Sequence, residues 1–487
     1  MPEHRTYDVV VIGAGPVGEN AADRAARSGL SVAVVEHELV GGECSYWACM
    51  PSKALLRPGA ALAAARSVPG ATEAITGGVD VRAALAGRDE FTQHWDDAAH
   101  VQWLADAGLD LVRGHGSIDG VRRVRVGGSG GADDLILQAN HAVVVATGSG
   151  PFVPDLPGLR SAGPWTNREV TELREVPDSV AVIGGGVVAA EMATALADLG
   201  CQVTMLVRGG RLLSGTEPFA GAAVAESLGA MGVRVHLDTS VTGVQRTDDG
   251  VLLDTDAAGR VRAAEVLVAT GRRPRTGGLG LDSIGLAEHE TLATDETGRV
   301  RRIEGDWLYA AGDVTGATHT THQGKYVARV VGDVIAHRFG AAEPSGAGSD
   351  AEPVAPWSPL RARSAGAGEP QVIFTRPEVA AVGYTEEQAQ RAGLTTEVVT
   401  VGMDQVAGAS LAGAGQAAGS GAARLVIDPE RRVVVGATFV GPAASDLLHA
   451  ATIAVVGQVG LDRLWHAVPA FPTISEVWLR LLEEYGL

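Results

Sequence analysis

The chain carries one strand–glycine turn–helix–strand unit twice, and no other feature narrows its fold as much. Residues 8–36 read DVVVIGAGPVGENAADRAARSGLSVAVVE and residues 179–208 read SVAVIGGGVVAAEMATALADLGCQVTMLVR. In the first, Gly13-x-Gly15-x-x-Gly18 follows the apolar run Val9-Val10-Val11-Ile12. Gly13 permits a tight turn, Gly15 lets the backbone approach a pyrophosphate, and Gly18 lets helix and strand pack closely. The helix that follows offers its N–H groups and positive dipole end to phosphate. Glu36 ends the second strand, where it is placed to accept from a ribose hydroxyl. The second unit has Gly184-x-Gly186-x-x-Ala189, the Gly/Ala variant of the same pattern. Val207 stands where an acid is expected, and Arg208 and Arg211 follow. Arginine clamps a 2′-phosphate that an acid would repel, so this site favours NADPH, with NADH as the alternative. Each unit leads to a strand ending Ala-Thr-Gly, over 143–149 and again over 266–272. Two such units imply two dinucleotides.

The 487 residues suggest about three domains. Much of the high glycine count, 65, falls in the turns where a phosphate-binding fold uses it. A net charge of −19 argues against nucleic acid or an anionic membrane as partner. The polar start, Met1 to Asp8, is expected to carry no signal peptide. No run of about 18 apolar residues predicts a membrane span, so a soluble, cytoplasmic protein is expected. Residues 341–369 are rich in Ala, Gly, Pro and Ser and read as a linker or mobile insertion. A similar stretch, Gly408 to Gly421, reads as an exposed loop. Beyond Gln371 no phosphate loop recurs, and the pattern reads as a separate α+β domain.

Three cysteines are too few for a disulfide-stapled secreted domain and fit one functional pair in a reducing compartment. Cys201 stands alone in an apolar run. The pair lies in Gly41-Gly42-Glu43-Cys44-Ser45-Tyr46-Trp47-Ala48-Cys49-Met50-Pro51-Ser52-Lys53. On one regular helix, residues five apart sit about 140° apart around the axis and about 7.5 Å along it. That exceeds the roughly 7 Å Cα limit for bridging, so pairing requires a distorted helix start. Two buried thiols or two metal ligands are competing readings. The sequence has no second Cys/His pair at zinc spacing, and no metal is expected.

The chain resembles the class I pyridine nucleotide–disulfide oxidoreductases over nearly its whole length. The resemblance rests on both glycine fingerprints, Gly-Gly-x-Cys-x4-Cys-x-Pro-Ser-Lys and both Ala-Thr-Gly strands. It continues in Tyr309-Ala310-Ala311-Gly312-Asp313 and in Phe374-Thr375-Arg376-Pro377-Glu378-Val379-Ala380-Ala381-Val382-Gly383. It implies an α/β fold of two Rossmann-like dinucleotide-binding domains plus a C-terminal α+β dimerisation domain, in a homodimer. The expected boundaries are 1–152 for the first part of the FAD domain, 153–273 for the NAD(P) domain and 274–340 for the segment completing the FAD domain. The linker (341–369) and the interface domain (370–487) follow. The resemblance makes Cys49 the flavin-side thiolate and Cys44 the interchange thiol. Lys53 becomes the cation beside flavin N5, where positive charge stabilises reduced flavin, and Glu191 becomes its partner acid. Asp313 matches the carboxylate that holds the ribityl chain. Gly42, Gly116, Thr147 and Gly148 are expected on the FAD side, and Gly271 on the NAD(P) side.

Two departures bear on activity. Relatives of this kind carry His-Pro-Thr-x-x-Glu near the C-terminus, with the histidine as acid–base partner of the interchange thiol. Here the run is Phe471-Pro472-Thr473-Ile474-Ser475-Glu476. Phenylalanine moves no proton, so Glu476 has lost its client, and His466 is a weak candidate substitute. Tyr46 and Trp47, between the cysteines, read either as part of an aromatic mouth with Phe471 or as interface packing. The leading reading is an NADPH- and FAD-dependent reductase acting through Cys44 and Cys49 on a small acceptor, a non-standard disulfide. The alternative is a diaphorase-like quinone reductase. Mercuric reductase ranks third, because the C-terminus lacks an extra cysteine pair. A redox-sensing flavoprotein without significant turnover is the reading from a different class.

Overall fold

The computed structural model describes residues 3–127, 134–317, 319–340, 355, 357–363, 368–413 and 421–487. The chain divides into two compact units, each assembled from three stretches of sequence.

The first unit comprises 1–50, 92–150 and 272–365. Its centre is a seven-stranded sheet. Strands β1 (Glu3–Ile12), β2 (Val32–Glu36) and β3 (Asp110–Arg113) run parallel, as does β6 (Leu135–Val145) beside β1. The ribbon β4 (His115–Ile118) and β5 (Arg123–Gly127) joins β6 antiparallel, and the short strand Leu308–Ala310 joins it parallel. Val9 and Val11 of β1 enter one apolar cluster with α1 (Pro16–Ala26) and the long helix Thr321–Phe339. Val10 and Ile12 enter another, with Leu279, Trp307 and Leu308. Successive side chains of a strand point to opposite faces, and both faces here are covered. That explains why the end of β1, Val9–Ile12, reads as an unbroken apolar run.

The second unit comprises 51–91, 151–271 and 366–487. It contains a four-stranded parallel sheet in the order Arg234–His236, Gln202–Leu206, Ser179–Ile183, Glu265–Val268. A five-stranded antiparallel sheet is built from the chain beyond Gln371 and packs with the helices Ala444–Val456 and Val477–Tyr485 around one core. This is the α/β arrangement with two dinucleotide folds and a terminal α+β domain that the sequence predicts. Among the described residues no helix is long and apolar enough to cross a membrane.

Two surface expectations change. The stretch from Gly408 begins inside a helix, Ala407–Leu411, with Gly408 and Ala409 buried. A Cβ on Gly408 would lie 2.1 Å from the backbone carbon of Thr473, so close packing explains that glycine. Residues 414–420 lie outside the described residues. Of the expected linker, 357–363 is docked on the first unit: the Ala362 N–H donates to Glu296 O at 2.7 Å, and Leu360 and Ala362 pack on its core. Most of the remainder, 341–354, 356 and 364–367, lies outside the described residues.

Candidate functional site: a dinucleotide cradle beside a cysteine pair

In the first unit, Gly13 has φ +103°, and a Cβ there would fall 2.5 Å from Ala146 O. A Cβ on Gly42 would meet Gly15 Cα at 2.8 Å. The backbone at Gly15 and Gly42 is thus kept bare. Gly15 begins α1 without a side-chain cap, leaving first-turn N–H groups for an anion. Gly18 packs against Gly13 O, where a Cβ would clash. The buried Glu36 carboxylate accepts from the N–H groups of Ala14 and Glu38, both at 2.8 Å. Burial pushes that carboxyl up, but hydrogen bonds from His37, Ala14 and Glu38 prevail and hold it below the usual range. Gly116 lies in β4 over Ile12 and Val35.

After β6, Thr147 Oγ1 donates to Arg275 O at 2.7 Å, and Gly148 O accepts from Arg275 N at 2.9 Å. Ser149 Oγ lies 2.5 Å from Asp313 Oδ2 and accepts from Arg272 Nε at 2.7 Å. Thr276 Oγ1 and Gln323 Nε2 are buried with no hydrogen-bond partner among the described residues. A buried orphan of this kind calls for a bound group. The bare glycine cradle, the buried acid that ends β2 and these orphaned atoms fit a flavin dinucleotide.

The cysteines lie on two different helices. The helix α2 (Gly42–Tyr46) ends at Trp47 (φ −136°, ψ 4°), and α3 (Cys49–Arg66) starts two residues later. This is the distortion that pairing requires. Both sulfurs meet one hydroxyl: Thr321 Oγ1 is 3.2 Å from Cys49 Sγ and 3.3 Å from Cys44 Sγ. The adjacent Cys49 and then burial push the Cys44 thiol up, while Thr321 and Lys325 act the other way. Thr321 starts the helix Thr321–Phe339, far from the cysteines in sequence, and sequence reasoning missed it. Tyr46 and Trp47 are buried, with Tyr46 edge-on to His100. The two rings also lie against each other, with centres 5.7 Å apart.

In the second unit, Lys53 Nζ is 2.8 Å from Glu191 Oε2, and Glu191 Oε1 accepts from Phe374 N at 2.9 Å. Glu191 is buried, and Lys53 also lies 5.0 Å from the Phe374 ring centre. The second fingerprint follows the strand Ser179–Ile183. Gly184 lies against Ala269 O, Gly186 faces open space and Ala189 is buried. Gly271 O accepts from Phe152 N. Val207 packs over Gly185. Arg208 is exposed and makes no ion pair among the described residues. Arg211 donates to Ser214 O at 2.9 Å and pairs with Glu387 at 3.3 Å. Glu476 has found another partner, Arg480 at 2.7 Å, while its Oε2 is buried without one. Phe471 is 75% exposed, and His466 is exposed.

Residues 7–329 match the family described as pyridine nucleotide-disulphide oxidoreductase, and residues 369–481 match its dimerisation domain. The chain is 31% identical to a mercuric reductase of Streptomyces lividans, over 96% of this chain and 94% of that protein. It is 32% identical to a dihydrolipoyl dehydrogenase of Chlorobaculum tepidum, over 96% and 95%. Its fold matches that of the HOCl-induced flavoprotein disulfide reductase RclA from Escherichia coli, with TM-score 0.80 and 22% identity over 98% of this chain and 99% of that one. LpdA from Mycobacterium tuberculosis gives TM-score 0.79 at 24% identity over the full length of both. With two dinucleotide folds, a bare glycine cradle and a thiol pair on one hydroxyl, this chain belongs to the pyridine nucleotide–disulphide oxidoreductase family, enzymes that use FAD and NAD(P)H.

Proposed function

We propose that this enzyme takes electrons from NADPH and passes them through the Cys44–Cys49 pair to a small acceptor, a disulfide outside the common cellular set. The observation that carries this reading is the meeting of both sulfurs at Thr321 Oγ1 across a helix break. Bound FAD supplies the two-electron relay between nicotinamide and sulfur. Gly13, Gly15, Gly18, Glu36, Gly42, Gly116, Thr147, Gly148 and Asp313 would hold it. Lys53, ion-paired with Glu191, would stand at its redox-active ring. Opening the disulfide takes up two electrons and two protons and leaves Cys49 on the flavin side and Cys44 to attack the acceptor. Gly184, Gly186, Ala189, Gly271 and Arg208 would hold NADPH, with Arg208 free to meet the 2′-phosphate and Arg211 held by Glu387. The boundaries at 152, 273, 340 and 369, a homodimer formed through the terminal domain and a cytoplasmic setting belong to the same proposal.

Two-electron reduction of the purified protein should give a long-wavelength thiolate–flavin charge-transfer band. Cys49→Ser should abolish it, and Cys44→Ser should show it without reductant. Direct passage of the wild type to fully reduced flavin, with no such band, rejects the redox role of the pair. A second reading, direct reduction of a quinone, is favoured by Phe471, which can take no proton from a thiol and is widely exposed. NADPH oxidation against panels of disulfides and quinones separates the two.

A further inference from the structure

We infer that Glu43 and Arg275 form a tether that sets the stability of the Cys44–Cys49 disulfide by fixing the turn that carries Cys44; this rests on the redox reading of the pair. The turn is α2, only five residues long, and its first residue follows Gly41, which offers no side-chain cap. Isolated helices so short do not hold themselves together in water. Glu43 lies next to Cys44 and points its carboxylate to Arg275 Nη2 at 2.7 Å, with Arg272 Nη2 at 4.0 Å. Its backbone carbonyl also closes α2 by accepting from Trp47 N at 2.8 Å.

Arg275 is a firm anchor because its own backbone is pinned twice, by N–H to Gly148 O and by its carbonyl to Thr147 Oγ1. Those two residues follow β6, and the next, Ser149, binds Asp313 and Arg272. The tether therefore ties the turn that carries Cys44 to the end of β6, which pairs with β1, β5 and the strand Leu308–Ala310. The Glu43 and Arg275 side chains are 17% and 34% exposed, so water screens this pair less than a fully exposed one. Asp97 holds the other side of the turn, accepting from Val40 N at 2.8 Å.

Closing the disulfide joins two sulfurs, releasing two electrons to the flavin relay and two protons to solvent. The equilibrium depends on how often Cys44 Sγ is found at Cys49. A loosened α2 spreads Cys44 over more positions and weakens the disulfide. The tether thus acts as a positioning device and makes no contact with the acceptor.

The test is the thiol–disulfide equilibrium of the FAD-loaded protein in glutathione buffers, read by alkylation of Cys44 and Cys49. Glu43→Gln and Arg275→Gln should each weaken the disulfide about tenfold, which is ~30 mV. The double variant should be no weaker than either single one, because both remove the same contact. Arg275→Lys and Glu43→Asp should restore part of the effect. Thermal melting and flavin content, followed in parallel, exclude general unfolding. Singles within twofold of wild type, or additive singles, overturn the tether while leaving the redox pair intact. A wild type that forms no reversible disulfide overturns both.

Discussion

Replacing Phe471 with histidine tests how the missing base limits the enzyme. In the proposed homodimer, position 471 of one subunit serves Cys44 of the other. The Cys44 thiol is raised by Cys49 and by burial. At an ordinary thiol value of about 8.5 it would be only about 3% thiolate at neutral pH, and raised it is less. A positioned base is worth about 10²–10⁴-fold. We expect about 100-fold for Phe471→His, the low end, because Arg480 already holds one oxygen of Glu476. Glu476 Oε2, buried and unpartnered, is the acceptor left to orient the new imidazole. The assay is steady-state NADPH oxidation at pH 7 with lipoamide and, separately, with a benzoquinone. Lipoamide turnover should rise and acquire a pH dependence near the imidazole value of about 6.5, while quinone turnover stays unchanged. Adding Glu476→Gln should remove most of the gain. A folded, flavin-loaded Phe471→His enzyme with unaltered lipoamide turnover refutes the argument. Brisk wild-type turnover lost on mutating His466 refutes it differently, by locating the base there.

Two further outcomes follow from single side chains. Arg208→Ala should raise the KM for NADPH by roughly 10- to 150-fold, the worth of a charge-assisted contact of about 1.5–3 kcal/mol, with little change for NADH; equal wild-type use of the two cofactors rejects the assignment. His100 Nδ1 lies 3.0 Å from Glu19, and that hydrogen bond raises its pKa above 6.5. Its contribution to stability is therefore full below about pH 6.5 and lost as pH rises through the folded value. Melting temperatures of wild type and His100→Asn should differ most at low pH and converge above it, and a gap that widens with pH contradicts the pairing.

The sequence by itself determined the features that act through neighbouring backbone. Both glycine fingerprints, the acid at Glu36 and the continuous apolar strand runs are local constraints, and each element formed where its pattern lies. Helix geometry required a distorted helix start if Cys44 and Cys49 are to pair, and the chain breaks at Trp47. Resemblance added Lys53 with Glu191, whose side chains meet across 138 residues. Tertiary structure decided what depends on distant chain segments. Thr321 reaches the cysteines from 272 residues beyond Cys49, and Arg275 reaches Glu43 across 232, with no spacing rule to announce either. It also drew Arg211 to Glu387 and Glu476 to Arg480, and it buried Gly408 where composition alone predicts an exposed loop. A short motif fixes the backbone conformation around it. Which charge a side chain neutralises is set by whatever the fold brings within about 4 Å, and that is settled only when the whole chain has packed.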